Sequence, residues 1–248
     1  MIKNIKLTLM YDGTNFFGTQ KNENFRTVEG VLENCLSKIL KINEIKITFA
    51  SRTDRGVHAI GQVANFLVET NIPGDRFKNI LNDKLPQDLR VKESIEVENT
   101  FSSRFDSKGK IYLFFINNSK DTPHPIIDRY SLWFPYEINI ERIKKNLKIF
   151  EGIKDFSSFT TEEERKEEST IKEIYETNLI KKGNFIILYF FGKSFLRHQI
   201  RRMVGALLEI ERRNLKSDIL LEALNSKKHY LGEKKVSSRG LFLFKVLY

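Results

Sequence analysis

Cysteine is almost missing: Cys35 is alone among 248 residues. That excludes an internal disulfide framework and any zinc site built on two or more cysteines. Five prolines and 13 glycines are too few for collagen-like or proline-rich bias. The longest apolar runs, such as Phe185-Ile186-Ile187-Leu188-Tyr189-Phe190-Phe191, fall well short of the roughly 20 residues of a membrane-spanning helix. The start, Met1-Ile2-Lys3-Asn4-Ile5-Lys6-Leu7, is broken by Lys6 and Asp12 and has no signal-peptide core. A soluble, cytoplasmic protein with no membrane partner is expected. No P-loop and no dinucleotide fingerprint occur, which argues against an NTPase or a nicotinamide enzyme. His58, His124, His198 and His229 are scattered without metal-ligand spacing, so no metal is expected. Cys35 falls on the apolar face of a helix and reads as core rather than nucleophile.

What is present is a globular mixture: 40% hydrophobic and 30% charged residues, with 42 Lys+Arg against 32 Asp+Glu, a formal net charge of +10. The length allows one large domain or two small ones. The positive charge invites a polyanion partner, nucleic acid first. Abundant Lys, Asn and Ile are also what an A/T-rich coding sequence produces, and composition alone does not separate the two.

The element pattern is read twice. Residues 5–11 alternate as a strand. Thr27 caps a helix in which Val28, Val31, Leu32, Cys35, Leu36, Ile39 and Leu40 recur at helical spacing. Strands follow at 45–50 and 60–68, a weaker helix at 74–84 and a strand at 89–98, giving β-α-β-β-α-β. The second half repeats the order. A strand at 110–116 leads to a helix capped by Asn139, then strands at 171–180 and 185–191 flank the turn Lys181-Lys182-Gly183-Asn184. A helix over 195–210, a short one near 217–225 and a strand over 241–247 complete it. Two ferredoxin-like βαββαβ halves of an α+β protein are expected, 1–106 and 107–248, sharing a central, mainly antiparallel sheet. The acidic stretch from Glu162 to Glu168 reads as a solvated loop.

The segment Ala50-Ser51-Arg52-Thr53-Asp54-Arg55-Gly56-Val57-His58 lies between two strands that a two-residue turn would have joined. Cationic side chains can hold phosphates, and a carboxylate between them can serve as nucleophile or acid–base group. By spacing alone, the same residues make an ordinary polar connection with a local ion pair. Arg197 and Arg201 fall one turn apart on the 195–210 helix, either bordering a groove or snorkelling from a helix edge. Tyr112 alternates with Phe114 and Ile116, so it is either core or a platform under a base.

Taken together, the residues resemble the tRNA pseudouridine synthase A family nearly end to end. The resemblance is carried by Tyr11-Asp12-Gly13, Gly18 with Gln20, Arg52-Thr53-Asp54 with Gly56-Val57-His58-Ala59, and Gly61-Gln62-Val63. Phe101 with Arg104-Phe105, Tyr112, Asp155-Phe156 with Ser158-Phe159, Phe195 through Gly205, and Gly240-Leu241 extend it. It implies the two-lobed pseudouridine synthase fold and isomerisation of uridine in the tRNA anticodon stem-loop, with no cofactor. It also implies a homodimer binding tRNA in basic clefts. Asp54 matches the catalytic aspartate, Arg201 its basic partner, Tyr112 the base-stacking tyrosine, Arg52 an arginine that displaces the target nucleotide, and Leu241 an aliphatic pocket residue. The Asp54 loop then belongs to the N-terminal lobe, and Tyr112 and Arg201 to the C-terminal one.

The chain departs from the family at Thr19, where Trp is usual, at Ser102 for His, at Ser51 for Gly, and in Val236-Ser237-Ser238-Arg239, which lacks the usual proline. Two alternatives remain open from sequence. One is an RNA-binding protein or tRNA chaperone on the same scaffold; the other is a paralogue acting on other RNA uridines.

Overall fold

Alternation of apolar and polar side chains dictates the first strand: Ile5, Leu7 and Leu9 are fully buried, and Lys6 and Thr8 between them are not. The computed structural model describes residues 1–167, 169–226 and 235–248. In chain order its elements are β1 (Ile2–Tyr11), α1 (Val28–Leu40), β2 (Thr48–Phe49), β3 (His58–Glu69), α2 (Phe77–Asn82) and β4 (Leu89–Val97). Then come β5 (Gly109–Asn117), β6 (Leu132–Trp133), α3 (Ile140–Lys148), β7 (Gly152–Asp155), α4 (Glu162–Glu167), β8 (Ile171–Lys182) and β9 (Phe185–Gly192). The last three are α5 (Gln199–Arg213), α6 (Asp218–Ser226) and β10 (Leu241–Leu247).

Two compact units form, and the first comprises Met1–Lys108 with Phe242–Tyr248. Its strands lie in the order β4–β1–β3, with β2 beyond β3, which is the ferredoxin-like arrangement. The pairs β1–β3, β1–β4 and β2–β3 are antiparallel. The start of β10 joins β3 in parallel, Phe242 opposite His58 and Leu243 opposite Ala59. Thr27 caps α1, its side chain accepting the Gly30 N–H at 3.2 Å. The helix buries Val28, Leu32, Cys35 and Leu36, and Phe66 on β3 packs edge-on against Phe77 of α2. The strand expected over 45–50 pairs only at Thr48–Phe49, although Ile45 and Ile47 are buried. The apolar alternation there reflects burial without a ladder. The 74–84 segment divides into a 3₁₀ turn, Gly74–Arg76, and α2.

The second unit spans Gly109–Leu241 and orders its strands β5–β9–β8–β7, with β6 parallel to β5. The β5–β9, β8–β9 and β7–β8 pairs are antiparallel. Asn139 caps α3 by accepting the Arg142 N–H at 3.0 Å. The 3.6-residue period of α5 buries Ile200, Met203, Val204 and Leu207. Against the sequence reading, α5 starts at Gln199 rather than 195. His198 adopts a left-handed conformation (φ 64°) that interrupts the chain immediately before it, so Arg197 is not a helical neighbour of Arg201. The acidic segment read as a loop forms α4, Glu168 lying outside the described residues. Strands β6 and β7 carry too few residues for periodicity to show.

The final strand, assigned from sequence to the second half, contributes Phe242–Tyr248 to the first unit. Besides the β3 pairing, the Lys108 N–H donates to the Leu247 carbonyl at 2.8 Å and the Tyr248 hydroxyl to the Ser103 carbonyl at 2.8 Å. Among the described residues no helix is long and apolar enough to cross a membrane, and no group of three or more His, Cys, Asp or Glu could hold a metal ion. His229 lies outside them.

Candidate active site

The first unit places Arg52 and Asp54 on the connection from β2 to β3. Asp54 is half-buried, while Arg52 and Arg55 on either side are exposed. The Asp54 carbonyl accepts the Val57 N–H at 3.1 Å, which closes a turn over residues 54–57, and the Gly56 N–H donates to the Phe16 carbonyl at 3.2 Å.

Beneath that turn is a buried hydroxyl cluster. Thr19 Oγ1 accepts the Thr53 N–H at 3.0 Å and lies 2.6 Å from Thr53 Oγ1. The Tyr11 hydroxyl is 2.9 Å from Thr53 Oγ1 and 3.4 Å from Thr19 Oγ1. The Thr19 N–H returns a bond to the Thr53 carbonyl at 3.1 Å. Gln62 braces Ser51, two residues before Thr53, its Nε2 donating to the Ser51 carbonyl at 2.7 Å and its Oε1 accepting the Ser51 N–H at 3.3 Å. Burial pushes the Tyr11 phenol up, outweighing the opposing hydrogen bonds from Thr19, Thr53 and Gln62, so its proton stays available to the cluster. Gly18 (φ +95°) permits the contact: a Cβ there would meet the Thr53 carbonyl oxygen at 2.6 Å.

His58 closes the far end. Its ring is buried and stacks on Phe242 with centroids 4.6 Å apart. His58 Nδ1 accepts the Gly13 N–H at 3.0 Å, and Asp12 Oδ1 is 3.2 Å from the same nitrogen. An Asp12–His58 ion pair would need a proton on Nδ1. The Gly13 amide is a fixed donor aimed at it, so the acceptor role is the one the geometry supports. His58 therefore shapes the loop.

The second unit carries the other three residues singled out from sequence. Tyr112 is buried on β5 in register with Phe190, and its ring meets Phe195 edge-on at 5.4 Å. Arg201 is buried in the first turn of α5, where its Nε donates to the Val236 carbonyl at 2.9 Å; the Val236 N–H answers to the Arg201 carbonyl at 3.3 Å. Leu241 is buried at the start of β10, immediately after the 3₁₀ turn Ser238–Gly240. Sequence reasoning missed the Tyr11–Thr19–Thr53–Gln62 cluster. The signal was there in part: Thr19 was a departure from the family pattern, and Tyr11 and Gln62 sat inside matched motifs.

A half-buried aspartate follows the braced Thr53 and is flanked in sequence by two exposed arginines, on a mainly antiparallel α+β scaffold. The comparisons supply the class. The family model for tRNA pseudouridine synthase matches residues 8–106 and 147–248. A tRNA pseudouridine synthase A from Pseudothermotoga lettingae is 37% identical over 246 residues, covering 99% of each chain. Those of Thermotoga neapolitana and Caldicellulosiruptor saccharolyticus are each 36% identical, covering 100% of both chains. A solved structure described as a Cbf5-Nop10-Gar1 complex aligns with 82% of this chain and 53% of that one, at 12% identity and a TM-score of 0.35. The chain belongs to the tRNA pseudouridine synthase A family and is an isomerase.

Proposed function

We propose that the chain converts uridine to pseudouridine in the anticodon stem-loop of tRNA, acting as a cytoplasmic homodimer, with Asp54 as the reacting carboxylate. The observation that carries this reading is Asp54 itself, at the start of a turn and next to Thr53, which is bonded through amide, carbonyl and hydroxyl. The reaction breaks the N1–C1′ bond, turns the uracil and joins C5 to C1′. N1 gains a proton and C5 loses one, so substrate and product are isomers and neither oxidant nor energy source enters the balance. Asp54 acts as the anion, at the ribose or at the pyrimidine ring. In this reading Arg201 keeps the carboxylate charged against the effect of burial. Tyr112 stacks on the target base and Leu241 lines its pocket. Arg52 displaces the nucleotide from its stack, a step costing a few kcal/mol.

The test is tritium release from unmodified tRNA labelled as [5-³H]uridine, followed by mapping of the modified positions. Wild type should release tritium at anticodon stem-loop uridines. Asp54→Asn, which keeps shape while removing the anion, should bind tRNA and release none. Substantial turnover by a deamidation-free Asp54→Asn protein would remove Asp54 from the chemistry, and release from uridines elsewhere would move the assignment to a different RNA site.

A further inference from the structure

Beside Asp54 the first unit exposes a three-layer stack that the reaction as described leaves unused. Arg55 Cζ sits 4.3 Å from the centroid of the Phe17 ring, and Phe17 lies face to face with Phe25, centroids 3.8 Å apart and planes within 7°. Both rings are exposed, Phe17 by 39% and Phe25 by 46%. Their backbone is fixed. The Phe17 N–H donates to the Arg26 carbonyl at 2.8 Å, the Val28 N–H to the Gly18 carbonyl at 3.2 Å and the Gly56 N–H to the Phe16 carbonyl at 3.2 Å. Phe25 is carried on the Asn22–Phe25 bridge, whose turn is tightened by the Asn24 N–H donating to Asn22 Oδ1 at 3.0 Å. Two large aromatic rings held in water by this many bonds serve something other than the core.

The neighbouring cations sort by what they already hold. Arg26 is bidentate to Asp88 at 2.8 Å and stacks on Phe16, and Lys21 pairs with Glu33 at 2.7 Å. Arg52 and Arg55 form no ion pair with any described carboxylate. The Phe17 ring holds one side of the Arg55 guanidinium, whose donors form the fork that fits a phosphate.

We propose that Arg55, oriented by the Phe17–Phe25 pair, grips a phosphate of the tRNA strand next to the nucleotide that Asp54 engages. This rests on the reading of Asp54 as the reacting carboxylate. Phe17 and Phe25 are then positioning residues, and Arg55 is a substrate contact separate from the nucleotide-displacing role of Arg52.

The experiment measures tRNA binding by filter retention across a salt series, with steady-state rates beside it. Arg55→Gln should weaken binding about tenfold and reduce the slope of log affinity against log salt by about 0.7–0.9, one phosphate contact. The loss should appear more in kcat/KM than in kcat. Arg55→Lys should keep the slope and bind with intermediate affinity. Phe17→Leu, which keeps apolar bulk but removes the stack, should weaken binding about two- to fivefold with the slope retained. Because Phe17 acts through Arg55, the double variant should bind no worse than Arg55→Gln. Wild-type affinity and slope in Arg55→Gln, or additive losses in the double variant, would overturn the proposal. Binding is read without turnover, so failure of the Asp54 reading registers separately, as tritium release by Asp54→Asn.

Discussion

Thr19 shows how far one methyl-bearing hydroxyl reaches. It accepts the Thr53 amide, shares a hydrogen bond with the Thr53 side chain and returns its own amide to the Thr53 carbonyl. Thr19→Val keeps the shape and removes the acceptor, leaving a buried N–H without its partner. Urea unfolding should show a loss of about 1–3 kcal/mol, and Thr19→Ser should recover most of it. Rate should follow: the Val variant loses kcat more than tRNA affinity, because the loop holding Asp54 loosens while its charges remain. At this scale local motifs single out Asp54, Tyr112 and Arg201, and the proposed roles rest on them. The partners of Thr19 could not be read the same way, because a hydroxyl pairing across 34 positions leaves no spacing signal. Arg197 was misplaced for a local reason, since nothing in its composition announces that His198 turns left-handed.

Charged side chains tie some of the elements together. Glu211, near the end of α5, is almost fully buried. It accepts the Asn139 N–H at 2.7 Å and Arg142 through Nε at 2.6 Å and a terminal nitrogen at 2.8 Å, which ties the start of α3 to α5. Arg142→Met should strand that carboxylate and cost about 3 kcal/mol by chemical denaturation, the low end for a buried pair because Arg142 is partly exposed. Adding Glu211→Leu should return part of the loss. Glu151 does comparable work beside β8. Strand β7 pairs only with Ile171–Ile174, and beyond it Glu151 Oε1 accepts the Thr177 N–H at 2.6 Å, its hydroxyl at 2.9 Å and Lys148 Nζ at 2.8 Å. Burial pushes the Glu151 carboxyl up, but the bonds from Lys148 and Thr177 together outweigh it and leave it below its ordinary value of 4.5. The folded state therefore favours the anion. The contribution is fully present above that ordinary value and is lost as the pH falls through the lower folded value. In urea unfolding across an acid series, the stability gap between wild type and Glu151→Gln should shrink as pH drops. Long elements were legible here because α1 and α5 repeat often enough to fix phase. Strands of two to four residues such as β2, β6 and β7 were not, since burial by neighbours rather than periodicity selects them.

For the whole molecule, the β-α-β-β-α-β order of the first unit was readable from its hydrophobic periods, and so were β5, α3, β8, β9 and α5 of the second, where β6, β7 and α4 are added between them. The allegiance of the last strand was not, because parallel pairing of β10 with β3 depends on contacts between residues far apart in sequence. The homodimer is testable at this level: light scattering at working concentration should give twice the chain mass, and a monomeric mass in an active sample would contradict it. The return of Phe242–Tyr248 to the first unit also bears on how the protein is made. Domains generally fold as units, the N-terminal one first during synthesis. Here the whole of Gly109–Leu241 must be translated before the first unit can finish, and Phe242, the ring on which His58 stacks, follows it. Such distant pairing is slow to form. On a ribosome stalled after Leu241, the loop around Asp54 should still be cut readily by protease, and it should become resistant only once β10 has emerged.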